Sequence, residues 1–588
     1  DLAYAQSDWV ATAGADALVR NNMPLLAYIG GGPVAFTSKD HNFLPGETVE
    51  KQLIVINNSR ETVSADCRWT FGSVRGSKQV RVRTGNQERI PMSLHLVDEM
   101  KPGSYEIKAA VTFNTGETQE DAFTINVMSA PPALKRPVKV AVFDPKGETT
   151  RKLRALGVTS RNVPAGADLS PYDTLIIGKE ALTIDGPGPD IAGVREGLKV
   201  VVFEQTPEVL EQRLGFRIAT YGLREVFKRV PDHPLLAGLG PEHLRNWRGK
   251  ATIVPPRLIS PKTREQNEGH IFRWCNLPVT RLHRCGNRGS VATALIEKPA
   301  CGDFLAIVDG GFSLQYSPLM EYREGEGLVL FCQMDVTGRT ADDPAADRLV
   351  RNLLGYVAAW KPAPRRGVVY TGDAKGLLHL RSTGLDVAAY DGADLSVDRV
   401  LVVGPGGGKK LAEKRINMGD WLADGGNLLA VGLDAQEANA VLPMQVHMRR
   451  VEHIAAYFEP FGADTLLAGI GPADVHSREP QELPLVVGGA RVVGDGVLAR
   501  LEGANAVFCQ MVPWNLRYRA PQYHKRTFRR SSCLVSRLLG NMGAGADTPL
   551  LANFAAPVQR WRIGGRWQQG LYLDKPEAWD DPYRFFRW

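Results

Sequence analysis

The stretches HPLLAGLGPEHL (233–244) and GLVLFCQMD (327–335) return further along the chain as DTLLAGIGPADV (464–475) and AVFCQMVPW (506–514). Each pair follows an apolar run introduced by a glycine, Gly197 before LKVVVF and Gly426 before NLLAVG. Short apolar runs without alternation are the pattern of parallel strands buried on both faces. The chain therefore reads as two tandem α/β modules of one design. Each is built on a buried strand that ends at a turn where a ligand or nucleophile could sit.

The copies differ in spacing. From Gly238 to Cys332 is 94 positions, whereas from Gly469 to Cys509 is 40. The first copy thus carries an insertion of about 50 residues, at about 246–316, and insertions of that size between core elements are a common place for function. TGRTADDPAADRLVRNLLGYVAAW and RRSSCLVSRLLGNMG predict a closing helix for each copy, which gives α/β modules over 137–362 and 366–545. Residues 546–588 form an aromatic-rich C-terminal segment with Trp561, Trp567, Trp579 and Trp588.

Upstream, the period changes. ETVEKQLIVIN, TVSADCRWTF, ERIPMSLHLV, GSYEIKAAVTF and QEDAFTINVM are strand-length and rich in β-branched residues, with turn signals at Asn57-Asn58, Lys101-Pro102-Gly103 and Asn114-Thr115-Gly116. This spacing predicts an immunoglobulin-like β-sandwich over 45–130, with Trp69 in its core, and SAPPALKRP as a linker. Residues 1–44 predict an amphipathic helix followed by a loop, PLLAYIGGGPVAFTSKDHNF. That reads as the end of a preceding domain, so the chain, which starts at Asp1, is expected to be a piece of something longer.

A length of 588 residues exceeds what one core supports. The net charge of +7 is mild and scattered apart from Lys525, Arg526, Arg529 and Arg530, so nucleic acid is not expected as a partner. No apolar run of about 18 residues predicts a membrane span. Seven cysteines, two of them (Cys332 and Cys509) inside the repeated apolar strands, do not make a disulfide framework.

The turns after the repeated strands decide the chemistry. FEQTPE puts Glu204 and Gln205 at the first, and GLDAQE puts Leu433 and Asp434 at the second. Neither has a thiol or hydroxyl, so nucleophilic attack from these positions is not expected. GPGGGKK (404–410) lacks the GxxxxGK[ST] pattern and reads as a strand-to-helix turn. Cys275, His283 and Cys285 match no zinc spacing, so neither metal nor cofactor is expected. EYREGEG (321–327) reads as a solvated turn. The candidate carbohydrate contacts are Trp274, Tyr316, Glu321, Tyr322, Trp561 and Trp567, because aromatic faces stack on sugar rings and carboxylates accept from their hydroxyls.

Two resemblances follow from these residues. The modules resemble class I glutamine amidotransferase domains, a flavodoxin-like α/β fold, without the cysteine at the elbow. The run RNNMPLLAYIGGGPVAFTSKDHNFLPGETVEKQLIVINNSRETVSADCRW resembles the junction in family 2 type, β-galactosidase-like glycoside hydrolases where a catalytic (β/α)8 barrel gives way to a sandwich. HPLLAGLGPEHLRNWRG and LQYSPLMEYREGEGLVLFCQMDVTGR resemble the amidotransferase-like domains after that barrel, comparable to the trimerisation domain of family 42 enzymes. The resemblance implies a non-catalytic accessory and assembly region of a glycosidase, partnered by a barrel upstream or on another chain and acting on oligo- or polysaccharide. It also implies a homo-oligomer and favours a periplasmic or secreted setting. No position here corresponds to the barrel's paired glutamates. The alternative is a carbohydrate-binding or scaffolding protein without hydrolase activity.

Overall fold

A computed structural model describes residues 10–131, 133–134, 139–253, 271–274, 277–280, 288–414, 416–516, 522–556, 562–563, 566–567 and 570–574. The chain is multidomain, with many sheets, a β-sandwich and fewer helices. It divides into two compact units. One comprises Asp1–Pro132 with Arg245–Lys250 and Arg339–Asp347, and the other comprises Ala133–Leu244, Ala251–Gly338 and Arg348–Trp588.

In the first unit, Leu25–Gly30, Thr48–Asn57 and Asn86–His95 make one antiparallel sheet. Asn42–Phe43, Thr118–Val127, Gly103–Phe113, Val63–Phe71 and Val74–Val82 make the other. Alternating residues such as Val49, Leu53, Val55, Ile107, Val111 and Ile125 close the core between them. Trp69 is half-buried and packs on this core, facing Gly76 across the strand pair, where a Cβ would fall 2.2 Å from the indole. Residues 25–30 correct an expectation. The sequence places them in a loop, but they form a sandwich strand paired with Gln52–Asn57, because Leu25, Ala27 and Ile29 alternate inward. The short excursion Arg339–Asp347 joins this unit through Asp343, which accepts from Asn42 (3.3 Å) and from the Arg248 N–H (2.9 Å).

In the second unit the repeat is structural. The first copy orders its parallel strands as Ser160–Asn162, Val140–Phe143, Thr174–Ile177, Lys199–Val202 and Gly327–Cys332. The second orders Val387–Ala389, Gly367–Thr371, Arg399–Val403, Asn427–Val431 and Asn505–Cys509 in the same way. Antiparallel strands extend each sheet beyond its last parallel strand. The corresponding cysteines make corresponding contacts, Cys332 to the Met334 carbonyl (3.7 Å) and Cys509 to the Met511 carbonyl (3.5 Å). The LLAG turn is also held the same way twice. Asn352 donates to the carbonyls of Leu235 and Ala237, and Asn541 to those of Leu466 and Ala468. Gly238 (φ 71°) and Gly469 (φ 73°) supply the left-handed residue that this turn needs. In GPGGGKK, Gly407 opens the helix Gly407–Lys414, and a Cβ on it would lie 2.5 Å from the Thr371 carbonyl. Gly404, Gly407 and Gly408 serve close packing there, and Gly406 takes the left-handed turn at φ 80°.

Candidate functional site

The carboxyl ends of parallel strands are where α/β sheets bind ligands, because the loops that follow converge there. In the first copy this edge gathers Glu204, Gln205, Lys179, Gln333 and Asp335. Glu204 follows the strand Lys199–Val202 and is 1% exposed. Its carboxylate accepts from the Thr337 N–H (2.8 Å) and from the Thr337 hydroxyl (3.0 Å). Asp335 accepts from the Thr252 N–H (2.7 Å) and hydroxyl, and the Lys179 ammonium stands 4.0 Å from it. Gln205 donates to the carbonyls of Gly178 (2.8 Å) and Phe203 (2.7 Å), and its own N–H binds Gln333.

Burial, and then the neighbouring Asp335 charge, push the Glu204 pKa up to about 8, only partly opposed by Lys179. A protonated carboxyl beside a second acid is an arrangement that acid–base catalysis uses. Here, however, both acids lie below the surface with protein donors on them. The second copy replaces both. By strand register Glu204 corresponds to Gly432, Gln205 to Leu433 and Asp335 to Val512, and Leu433 lies in the apolar core. Asp434, next to it, caps the helix Ala435–Asn439 by accepting from the Glu437 N–H at 2.9 Å. One copy fills this position with two acids and the other with glycine and valine, so the fold accepts either filling.

The thiols nearest these edges are inert by environment. Burial pushes Cys509 up to about 12 and Cys332 well above the ordinary thiol value, and a thiol that stays protonated is a poor nucleophile. Both are therefore expected to resist iodoacetamide in the native protein at pH 8 and to react once it is denatured. Peptide mapping by mass spectrometry reads this out, and native-state labelling of either would contradict the burial.

The carbohydrate contacts named from the sequence do not form a surface among the described residues. Glu321, expected on a solvated turn, is fully buried within the strand Tyr316–Glu324, and only Glu326 of that acidic run is exposed. Its carboxylate meets His233 Nε2 at 3.1 Å and accepts from Arg323 Nε at 2.9 Å. Burial alone would raise the Glu321 pKa, but Arg323 and then His233 overcome it and hold the group well below the usual carboxylate range. Tyr322 is equally buried, bonded to Glu324 and, at 2.7 Å, to Thr548, and Tyr316 is 2% exposed in the core. These three are structural groups, corrected from candidate ligand contacts. Sequence reading missed this because the partners lie on remote segments.

Trp274 belongs to the two-stranded pair Ile271–Trp274 and Leu277–Thr280, and Trp567 to Arg566–Trp567; their side chains lie outside what is described. Trp561, Cys275, His283 and Cys285 also lie outside the described residues. Among the described residues no group of three metal-capable side chains converges, and no helix is long and apolar enough to cross a membrane.

Residues Asp335, Lys179 and Thr252 were also missed. Asp335 sits in the quoted repeat FCQMD, and its replacement by Val512 in the second copy was the available signal.

The chain matches no protein-family model and no curated protein. Among solved structures it is similar to the CARDB domain of a Pyrococcus furiosus protein, with 15% identity over 18% of this chain and 87% of that one and a TM-score of 0.15. It is also similar to a family 123 glycoside hydrolase from Clostridium perfringens, with 11% identity over 22% of this chain and 32% of that one and a TM-score of 0.14. A third is a β-glucosidase from Listeria innocua, with 14% identity over 18% of this chain and 16% of that one and a TM-score of 0.12. The chain therefore spans less than a third of the length of each of these two hydrolases, and at such scores the likenesses assign no activity.

Proposed function

We propose that this chain is a non-catalytic accessory and assembly region of a β-galactosidase-like glycoside hydrolase, and that its two modules are flavodoxin-like, degenerate amidotransferase-like domains. The domain assignment is supported by the strand order common to both copies, in which the second strand lies outside the first. The observation that carries the functional reading is the exchange of Glu204 and Asp335 for Gly432 and Val512 between copies. A pair of acids needed for chemistry would have to meet solvent. This pair is buried, held by protein donors, and absent from the second copy of the same fold. The role left to the modules is to brace a catalytic barrel and to mediate assembly.

The purified 588-residue chain is expected to turn over neither nitrophenyl glycosides nor glutamine. Added to a separately produced barrel, it is expected to raise the barrel's melting temperature. Turnover that disappears on Glu204→Gln or Glu321→Gln would sink the proposal.

A further inference from the structure

One buried guanidinium in the second unit makes no ion pair among the described residues. Arg530, on the helix Gln522–Asn541, is 8% exposed. Its Nη1 lies 2.9 Å from His476 Nδ1, and its Nη2 donates to the Ser313 hydroxyl at 2.5 Å. Its Nε–H is buried without a partner, and no carboxylate among the described residues lies within ion-pairing distance of it. The charged groups around it are already engaged. Arg529 is held by Glu297 and Asp574, Lys298 by Asp309 at 2.6 Å, and Asp474 by Arg229. Burial lowers the Arg530 pKa to about 10 against the pull of Asp474, and Arg526 and Arg529 add to the fall.

A cavity opens beside this side chain, and the polar groups that line it are Glu297, Lys298 and Gln315 of the first copy and Asp474, Arg529 and Arg530 of the second, three cations against two carboxylates. Its free space is ≈ 20 Å³, enough for one water- or halide-sized group and too little for a phosphate or sugar. The Gln315 Oε1 is also buried without a partner, and turning that amide over would aim its NH2 as a donor instead. Two consecutive non-glycine residues at the rim, Ser313 (φ 57°) and Leu314 (φ 54°), hold left-handed backbone. Such strain persists where the surroundings over-determine it, commonly at ligand clamps.

We infer that this cavity holds a single dehydrated halide-sized anion, chloride in ordinary buffers, which accepts from the Arg530 Nε–H and ties the two copies together. A water there would satisfy the donor but leave the guanidinium charge unanswered; an anion answers both.

Thermal unfolding of the full chain should be followed at constant ionic strength while gluconate is exchanged for chloride or bromide. The melting temperature is expected to rise with halide concentration, as for any ligand that binds only the folded state. In Arg530→Met the rise is expected to vanish. Equal melting temperatures in halide and gluconate, or an undiminished rise in Arg530→Met, would overturn the inference. If Arg530→Met does not fold, crystals of the unaltered chain grown in bromide decide the matter. An anomalous peak within hydrogen-bonding reach of Arg530 Nε is the expected result, and an empty or water-filled cavity at saturating bromide refutes it.

Discussion

Replacing Asp574 by Asn is expected to destabilise the second unit by about 3–5 kcal/mol, the usual cost of removing one partner from a buried ion network. Asp574 is 1% exposed. It meets Arg217 Nη1 at 2.8 Å and accepts from Arg529 Nε at 3.1 Å, while Glu297 lies 2.8 Å from Arg529. Two guanidiniums and two carboxylates balance, and Asn leaves one positive charge buried and unanswered. Burial alone would raise the Asp574 pKa, but Arg529 and Arg217 outweigh it and hold the group well below the ordinary range. A depressed carboxylate contributes stability above its unfolded pKa and loses it as pH falls through the folded value. The gap between wild type and Asp574→Asn is therefore expected to be full at pH 7 and to narrow below about pH 4, near the unfolded Asp value. Urea titrations at several pH values measure it, and a gap that is independent of pH would show that Asp574 acts by shape alone.

Glu204→Gln is expected to do the opposite and stabilise the protein at alkaline pH. The folded pKa of Glu204 is raised from 4.5 to about 8, so the unfolded chain releases this proton first. Stability from this group is then greatest at or below pH 4.5, declines between 4.5 and 8, and levels off above. At ~1.4 kcal/mol per pKa unit the full effect is on the order of 5 kcal/mol, and an amide that keeps the Thr337 contacts should recover about half or more of it at pH 9. Near pH 4 the variant and wild type should coincide. A variant less stable than wild type at pH 9 would mean that the ionised carboxylate is worth more to Thr337 than its burial costs.

Residues whose neighbours are near in sequence, or whose burial is uniform, could be read in advance. The period-two runs of the sandwich and the apolar parallel strands are of this kind, because sheet burial writes itself directly into alternation or its absence. Leu25–Gly30 escaped notice because PLLAYIGGGP frames a six-residue alternation with proline and glycine. The strand Tyr316–Glu324 escaped for a different reason. It carries Glu321 and Glu324 into a buried layer, where Arg323 of the same strand meets Glu321 and where His233 and Arg195 arrive from remote segments. Pairing of that sort leaves no local trace. The elbow residues Glu204 and Asp434 were found by position, but whether each acted as an acid, a cap or packing depended on Thr337, Asp335 and the Glu437 N–H.

Arg229 carries a last consequence. From the first copy it reaches the carbonyl of Gly469, inside the second copy's LLAG turn, as well as Asp474, while also meeting Asp309 of its own copy. Residues Leu571 and Tyr572, after the end of the second copy, pack back into the core of the first. Each copy thus depends on the other for partners to its buried groups. A polypeptide severed in the KPAPRRG bridge would strip each half of ligands for its innermost charges, and neither half should be recoverable as a monodisperse species.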